Sequence, residues 1–260
     1  MKLTFILSIL FFYSIGYSQS VVVNFTEKRI VSKEKLEAIP EFARKNALAT
    51  YDYTLEYSNG VSFYKNNSEV KNVDSVEKSD SKSTKEEVSS NKQEILHKVT
   101  NKFVEKWYYA DFNKDELLFS VYNGKDFYGK DHLLQWNWQI SNETKEINGF
   151  QCRKATSEAF GYYFTAWFTE DIAISAGPDK FNGLPGLILY IGTKHYEYVA
   201  TSVKVNKEPI VIVKPEMSGN TVTMTELERY VKEGVSKLKS GTTNEVKGNT
   251  AITRTTTVIR

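Results

Sequence analysis

From Val21 onward the chain breaks into short runs in which β-branched and aromatic residues alternate with polar ones. That period of two restricts it to a fold built mainly of antiparallel strands. The runs are Val21–Val31, Tyr51–Tyr57, Val61–Tyr64, Phe103–Tyr109, Leu117–Tyr122, Leu133–Ile140, Gly149–Thr156 and Tyr162–Thr169. Leu187–Ile191, Tyr196–Ala200 and Ile210–Val213 complete the series. Ser58-Asn59-Gly60 separates two of them, and an Asn-Gly step between alternating aromatic runs is the signature of a tight hairpin. Leu133–Ile140 is predicted as a strand with Trp136 and Trp138 on one face.

Two stretches carry helical signals. Ser32 is a candidate N-cap for a short helix over Lys33–Leu36 that Pro40 interrupts or ends, and Thr225 with Glu228 reads as a capping box opening a helix to about Leu238. The fold class is therefore α+β, mainly β. Between Asn67 and Lys98 the residues are almost all Ser, Lys, Glu, Asp and Asn, too polar to bury the apolar area that would offset ordering. This segment is read as a mobile insertion at about 67–98 within a single β-rich domain over 19–240, a solvated charged helix being the alternative. The Thr-rich tail, 241–260, is read as frayed.

Met1-Lys2, the apolar run Leu3–Ile15 and Gly16-Tyr-Ser18 form a secretory signal peptide, 1–18, with cleavage near Ser18/Gln19. The run is too short for a membrane anchor, and no later stretch approaches a span. The chain is thus expected to be exported, to the periplasm or beyond, with no transmembrane anchor after cleavage. The whole chain carries a formal charge of +2, which offers no footprint for nucleic acid. One cysteine among 260 residues excludes an intramolecular disulfide. Alternation puts Cys152 on one face with Phe150, and it is read as a small buried hydrophobe rather than a nucleophile.

No catalytic or metal-binding motif stands out. The three histidines, His97, His132 and His195, are widely spaced, and no His-Glu-x-x-His, Gly-x-Ser-x-Gly, phosphate-binding loop or dinucleotide glycine pattern occurs. Asp131-His132 as an oriented base, and Asp171 with Asp179 as a carboxylate pair, are the available catalytic candidates. Solvated or turn-capping roles suit them better. No cofactor and no metal are expected.

The stretch Trp138–Thr156, then Ala166-Trp-Phe-Thr-Glu-Asp-Ile172, Ser175-Ala-Gly-Pro178 and Phe181-Asn-Gly-Leu-Pro-Gly-Leu-Ile-Leu189, resembles the GLPGLI family, whose hexapeptide stands here as Gly183–Ile188. The chain departs from that pattern at Gly161-Tyr162, where Gly-Arg is usual, and at Ala173, where Pro is common. The resemblance implies an exported envelope protein, found chiefly in Bacteroidota, and no agreed activity. By analogy of fold it implies a half-barrel like those of periplasmic lipoprotein carriers, a curved antiparallel sheet packing on one or two helices.

Leu184-Pro185-Gly186-Leu187 fits a type II turn, with Pro pre-setting φ and Gly supplying a positive φ, launching the apolar strand Leu187–Ile191. Two readings stay open. The turn either sets strand register or forms the rigid rim of a groove, with Trp167, Phe181, Leu184, Pro185, Gly186 and Leu187 as binding residues. Taken together, the chain is expected to be a monomeric, non-enzymatic carrier of an apolar small molecule such as a lipid or acyl chain. The alternative is an envelope scaffold protein acting beside an outer-membrane transporter, with a hydrolase third.

Overall fold

A computed structural model describes residues 20–39, 41, 44, 47–67, 73–80, 94–101, 105–123, 125–217, 219–237, 241–247 and 250–256. The signal-peptide segment lies outside them. The chain runs β1 (Ser20–Arg29), α1 (Lys33–Ala38), β2 (Thr50–Ser58), β3 (Val61–Asn66), β4 (Val73–Asp80), β5 (Glu94–Asn101), β6 (Trp107–Asp111), β7 (Glu116–Tyr122) and β8 (Asp126–Asp131). It continues β9 (Gln139–Ile147), β10 (Phe150–Ala159), β11 (Tyr162–Thr169), β12 (Leu187–Gly192), β13 (Tyr196–Asn206), α2 (Met224–Lys237), β14 (Gly241–Lys247) and β15 (Thr250–Thr256).

Eleven strands make one open antiparallel sheet in the order β8-β7-β6-β3-β2-β1-β13-β12-β11-β10-β9. The sheet is strongly coiled. Tyr64 on β3 and Tyr198 on β13 are three strand steps apart, which in a flat sheet means about 14 Å, yet their rings meet edge-on at 6.4 Å. Bulges at Asn24/Phe25, Arg153/Ala155 and Trp167/Phe168 add local twist. The expected antiparallel, mainly β fold is present, and β8 and β9 remain unjoined, so the sheet does not close into a barrel.

The expected hairpin at Asn59-Gly60 has φ of 51° and 76°, the paired positive values of a tight primed turn. β12 is buried at five of its six positions, as expected of an apolar run covered on both faces. Other elements differ. Residues 132–138 form no strand, and β9 starts at Gln139. Ile210–Val213 is also not a strand but an extended strap. Its Ile212 packs with Met217 over Trp107, Tyr109 and Leu118 on the face of β6 and β7 away from the main core, and Lys214 fixes it to Glu116 at 2.6 Å.

Across the 67–98 insertion the backbone of β4 and β5 pairs as a separate antiparallel hairpin, rather than the alternative charged helix. Residues 68–72 and 81–93 lie outside the described residues. Part of the 241–260 tail likewise forms the hairpin β14–β15 rather than a frayed end.

Helices α1 and α2 start near their predicted caps. Ser32 accepts from the Lys35 amide, and α1 ends before Pro40 with Ile39 extended at ψ 131°. In α2 the box is two residues earlier than expected. Thr223, not Thr225, accepts from the Glu226 amide at 3.2 Å, and Glu226 returns a bond to the Thr223 amide at 2.8 Å. The sequence holds two overlapping Thr-x-x-Glu registers, and the earlier one leaves Met224 and Leu227 facing the core. α2 packs at the β8 end, through Phe127 against Tyr230 at 5.3 Å, next to a bridge between Gly129 and Val222.

Candidate functional site

The concave side of the sheet is filled by an irregular loop rather than by a helix. Residues 170–186, joining β11 to β12, turn inward and bury Ala176, Asp179, Phe181, Asn182 and Leu184. A buried loop must satisfy its backbone. Here Leu187 N–H donates to Ile172 O at 3.0 Å and Ile188 N–H to Ala176 O at 2.9 Å. The neighbouring 132–138 segment gives up strand pairing to serve the same loop. Trp136 and Trp138 stack at 5.4 Å and donate their indole N–H groups to Lys180 O at 3.4 Å and Asn182 O at 2.8 Å.

This loop overturns the type II turn. Gly186 is not among the positive-φ residues, whereas Gly183 is, at φ 88°. Gly186 is required because a Cβ there would collide with the Thr169 carbonyl. The proposed rim does not assemble either. Phe181, Leu184 and Leu187 are 2%, 1% and 0% exposed within the core, and Pro185 is exposed at the loop tip. Trp167 alternates with the buried Phe164, Ala166 and Phe168, so its ring faces the other side of β11. There Lys145 Nζ lies over Trp167 at 4.4 Å and over Tyr190 at 4.6 Å.

The buried loop delivers a charged group that sequence reasoning placed elsewhere. Asp179, at φ 56°, points its carboxylate into the core, where Lys106 Nζ meets Oδ2 at 2.9 Å and the Tyr198 hydroxyl donates to the same oxygen at 2.8 Å. Lys106 also contacts Glu27 at 3.0 Å and Tyr198 Oη at 3.0 Å, and lies over the rings of Tyr53 and Tyr198. Lys180 sits 3.7 Å from Asp179 and 3.8 Å from Glu228 of α2. Burial alone would raise the Asp179 carboxyl, but Lys106 and Lys180, with hydrogen bonds from Lys106 and Tyr198, hold it well below the carboxylate range. Burial would likewise depress Lys106, and Asp179 and Glu27 instead raise it well above the lysine range.

Next to this cluster the inner face opens. β1 reads inward Val21, Val23, Phe25, Glu27, Arg29, passing from apolar to ionic. At its Arg29 end an open cavity of about 630 Å³ lies between β1, the start of β13 and α1, lined by Ile30, Val31, Ala38, Ile39 and Ala47 with Glu27, Arg29, Lys35, His195 and Tyr196. Burial, then Lys194 and Lys35, push His195 below the usual imidazole range. Sequence reasoning missed this site, although the inward charges on β1 were readable from alternation.

The catalytic candidates disperse. Asp131 accepts from the His132 amide with one oxygen and from the Met224 amide with the other, capping α2, while the exposed His132 ring pairs with Asp115 at 2.9 Å. Asp171 is exposed and its amide donates to Thr169 Oγ1, so it forms no pair with the buried Asp179. Cys152 is fully buried and burial pushes its thiol up to about 11, the state of an inert hydrophobe. Among the described residues no group of three or more His, Cys, Asp or Glu gathers as a metal site.

A family described as a protein of unknown function (Porph_ging) matches residues 159–190, a span that includes β11, the buried loop and the hexapeptide. No curated protein matches the chain. Two solved structures titled as PNGF-II, in C2 and P21 space groups, are similar at 13% and 12% identity with TM-scores of 0.46 and 0.47. Each match covers 88% of this chain, which spans 35% of the length of either structure. Among the described residues no helix is long and apolar enough to cross a membrane.

Proposed function

We propose that the chain is an exported, non-enzymatic binding or carrier module for an apolar small molecule, a lipid or acyl chain, in the bacterial envelope. The observation that carries this reading is the cavity of about 630 Å³ between β1, β13 and α1, whose walls include Ile30, Val31, Ala38, Ile39 and Ala47. Its volume falls in the range of roughly 300 to 1,000 Å³ typical of small-molecule sites, and its lining divides evenly between these apolar residues and the polar Glu27, Arg29, Lys35, His195 and Tyr196. The signal peptide and the GLPGLI resemblance support export.

Native mass spectrometry of protein purified from the envelope without detergent is the test, with an adduct of lipid or acyl mass as the expected result. Ala38→Trp, which places a large ring at the cavity wall from the exposed side of α1, should abolish the adduct. An apo mass for the native chain, with no uptake of a fluorescent fatty acid, would overturn the reading.

The exposed Val211 and Val213, 91% and 74% accessible on the strap over β6 and β7, favour the second reading, a scaffold that docks an envelope partner. Crosslinking in cells from position 211 separates the two, since a carrier needs no stable protein partner there.

A further inference from the structure

Arg29 stands out from its neighbours on the same strand. Lys28 is paired with Glu197, and Glu27 is held by Lys106 at 3.0 Å. Arg29, a residue of intermediate exposure, makes no ion pair or hydrogen bond from its side chain among the described residues, and it lines the cavity. A partly desolvated, unpaired fork of donors is unfavourable unless an anion completes it, and a carboxylate does so bidentately.

The remaining charges point the same way. Lys35 of α1 adds a second cation to the lining, and Lys194 lies beside His195 at the start of β13. Glu27 is the one carboxylate of the lining among the described residues, and it shares the Lys106 ammonium with Asp179. The lining therefore sets two cations, Arg29 and Lys35, against the single Glu27 carboxylate beside an apolar wall, the complement of an amphiphile with one tail and an anionic head.

We propose that the cavity binds a single-chain fatty carboxylate, with its carboxylate on Arg29 and Lys35 and its tail along Ile30, Val31, Ile39 and Ala47. This deepens the carrier reading and rests on it. A free acid of one chain is favoured over a diacyl lipid because about 630 Å³ is the space of one small ligand.

The test is displacement of a fluorescent fatty-acid probe from the full chain by laurate, 1-dodecanol and dodecyl phosphate, which share a tail and differ in head group. The native chain should bind laurate about tenfold or more tighter than dodecanol, and Arg29→Gln should remove that difference while leaving dodecanol unchanged. Lys35→Gln, on the exposed surface of α1, should weaken laurate by a smaller factor, and it keeps the test open should the Arg29 variant fail to fold. Equal binding of laurate and dodecanol, or tighter binding of dodecyl phosphate than of laurate, overturns the carboxylate assignment and leaves the carrier reading intact. Binding of none of the three overturns both.

Discussion

The carbonyl oxygen of Thr169, at the end of β11, fills the space that a Cβ on Gly186 would need. Gly186 is thus a close-approach glycine, and the positive φ of the hexapeptide belongs to Gly183, three residues earlier. Gly186→Ala should destabilise the fold by about 2 kcal/mol or more, because backbone, not a flexible side chain, must move. Pro185→Ala, at an exposed position, should cost about 1 kcal/mol or less. Denaturant midpoints of the two variants check the order, and equal losses would return the turn to a conformational explanation.

Leu184 and Phe181 anchor the buried loop from within, so truncating them tests packing rather than a binding rim. Leu184→Ala should cost about 2 to 5 kcal/mol and Phe181→Ala about 3 to 5 kcal/mol. Ligand affinity of the folded fraction should not change. A loss of affinity at unchanged melting temperature would contradict the burial of both side chains in the core.

The ionic cluster makes stability depend on pH at both ends. Asp179 is depressed, so its contribution is present above the unfolded carboxylate value near 4 and is lost as pH falls through the lower folded value. Lys106 is raised, so its contribution is present below about 10.4 and is lost as pH climbs through the higher folded value. Urea titrations should give a plateau across neutral pH with falls below about 4 and above about 10. Asp179→Asn should flatten the acid limb and cost about 3 to 5 kcal/mol at pH 7, since it leaves Lys106 and Lys180 buried with one fewer anion. An unchanged acid limb in that variant would assign the limb to other carboxylates.

What was legible in the sequence is local, and what was not is long-range. Strand identity and the Asn59-Gly60 turn follow from alternation and turn chemistry between adjacent residues. The 132–138 segment reads as a strand by that same rule, but Trp136 and Trp138 spend their N–H groups on carbonyls 44 residues away, and tertiary bonding overrides the pattern. The Lys106–Asp179 pair joins residues 73 apart through the inward turn of the 170–186 loop, which no local spacing encodes. The inward Glu27 and Arg29 on β1 were the available signal, because charges at core-facing positions of a strand require partners or a ligand.

The start of α2 gives a test in which two neighbouring threonines make opposite predictions. The sequence offers Thr223 with Glu226 and Thr225 with Glu228, and either register makes a plausible cap. In the structure Thr223 and Glu226 exchange both bonds, and the Met224 amide is satisfied by Asp131. Glu228 instead faces Lys180, 3.8 Å away. Thr223→Ala should therefore cost about 1 kcal/mol through the lost cap. The exposed Thr225→Ala should be within about 0.5 kcal/mol of neutral, or slightly stabilising through alanine's higher helix propensity. Asp131→Asn keeps an acceptor for the Met224 amide but removes the charge at the helix N-terminus, so it should fall between the two, at roughly 0.3 to 1 kcal/mol. Thermal melts of the three variants rank these effects, and a larger loss at Thr225 than at Thr223 would move the helix start two residues onward.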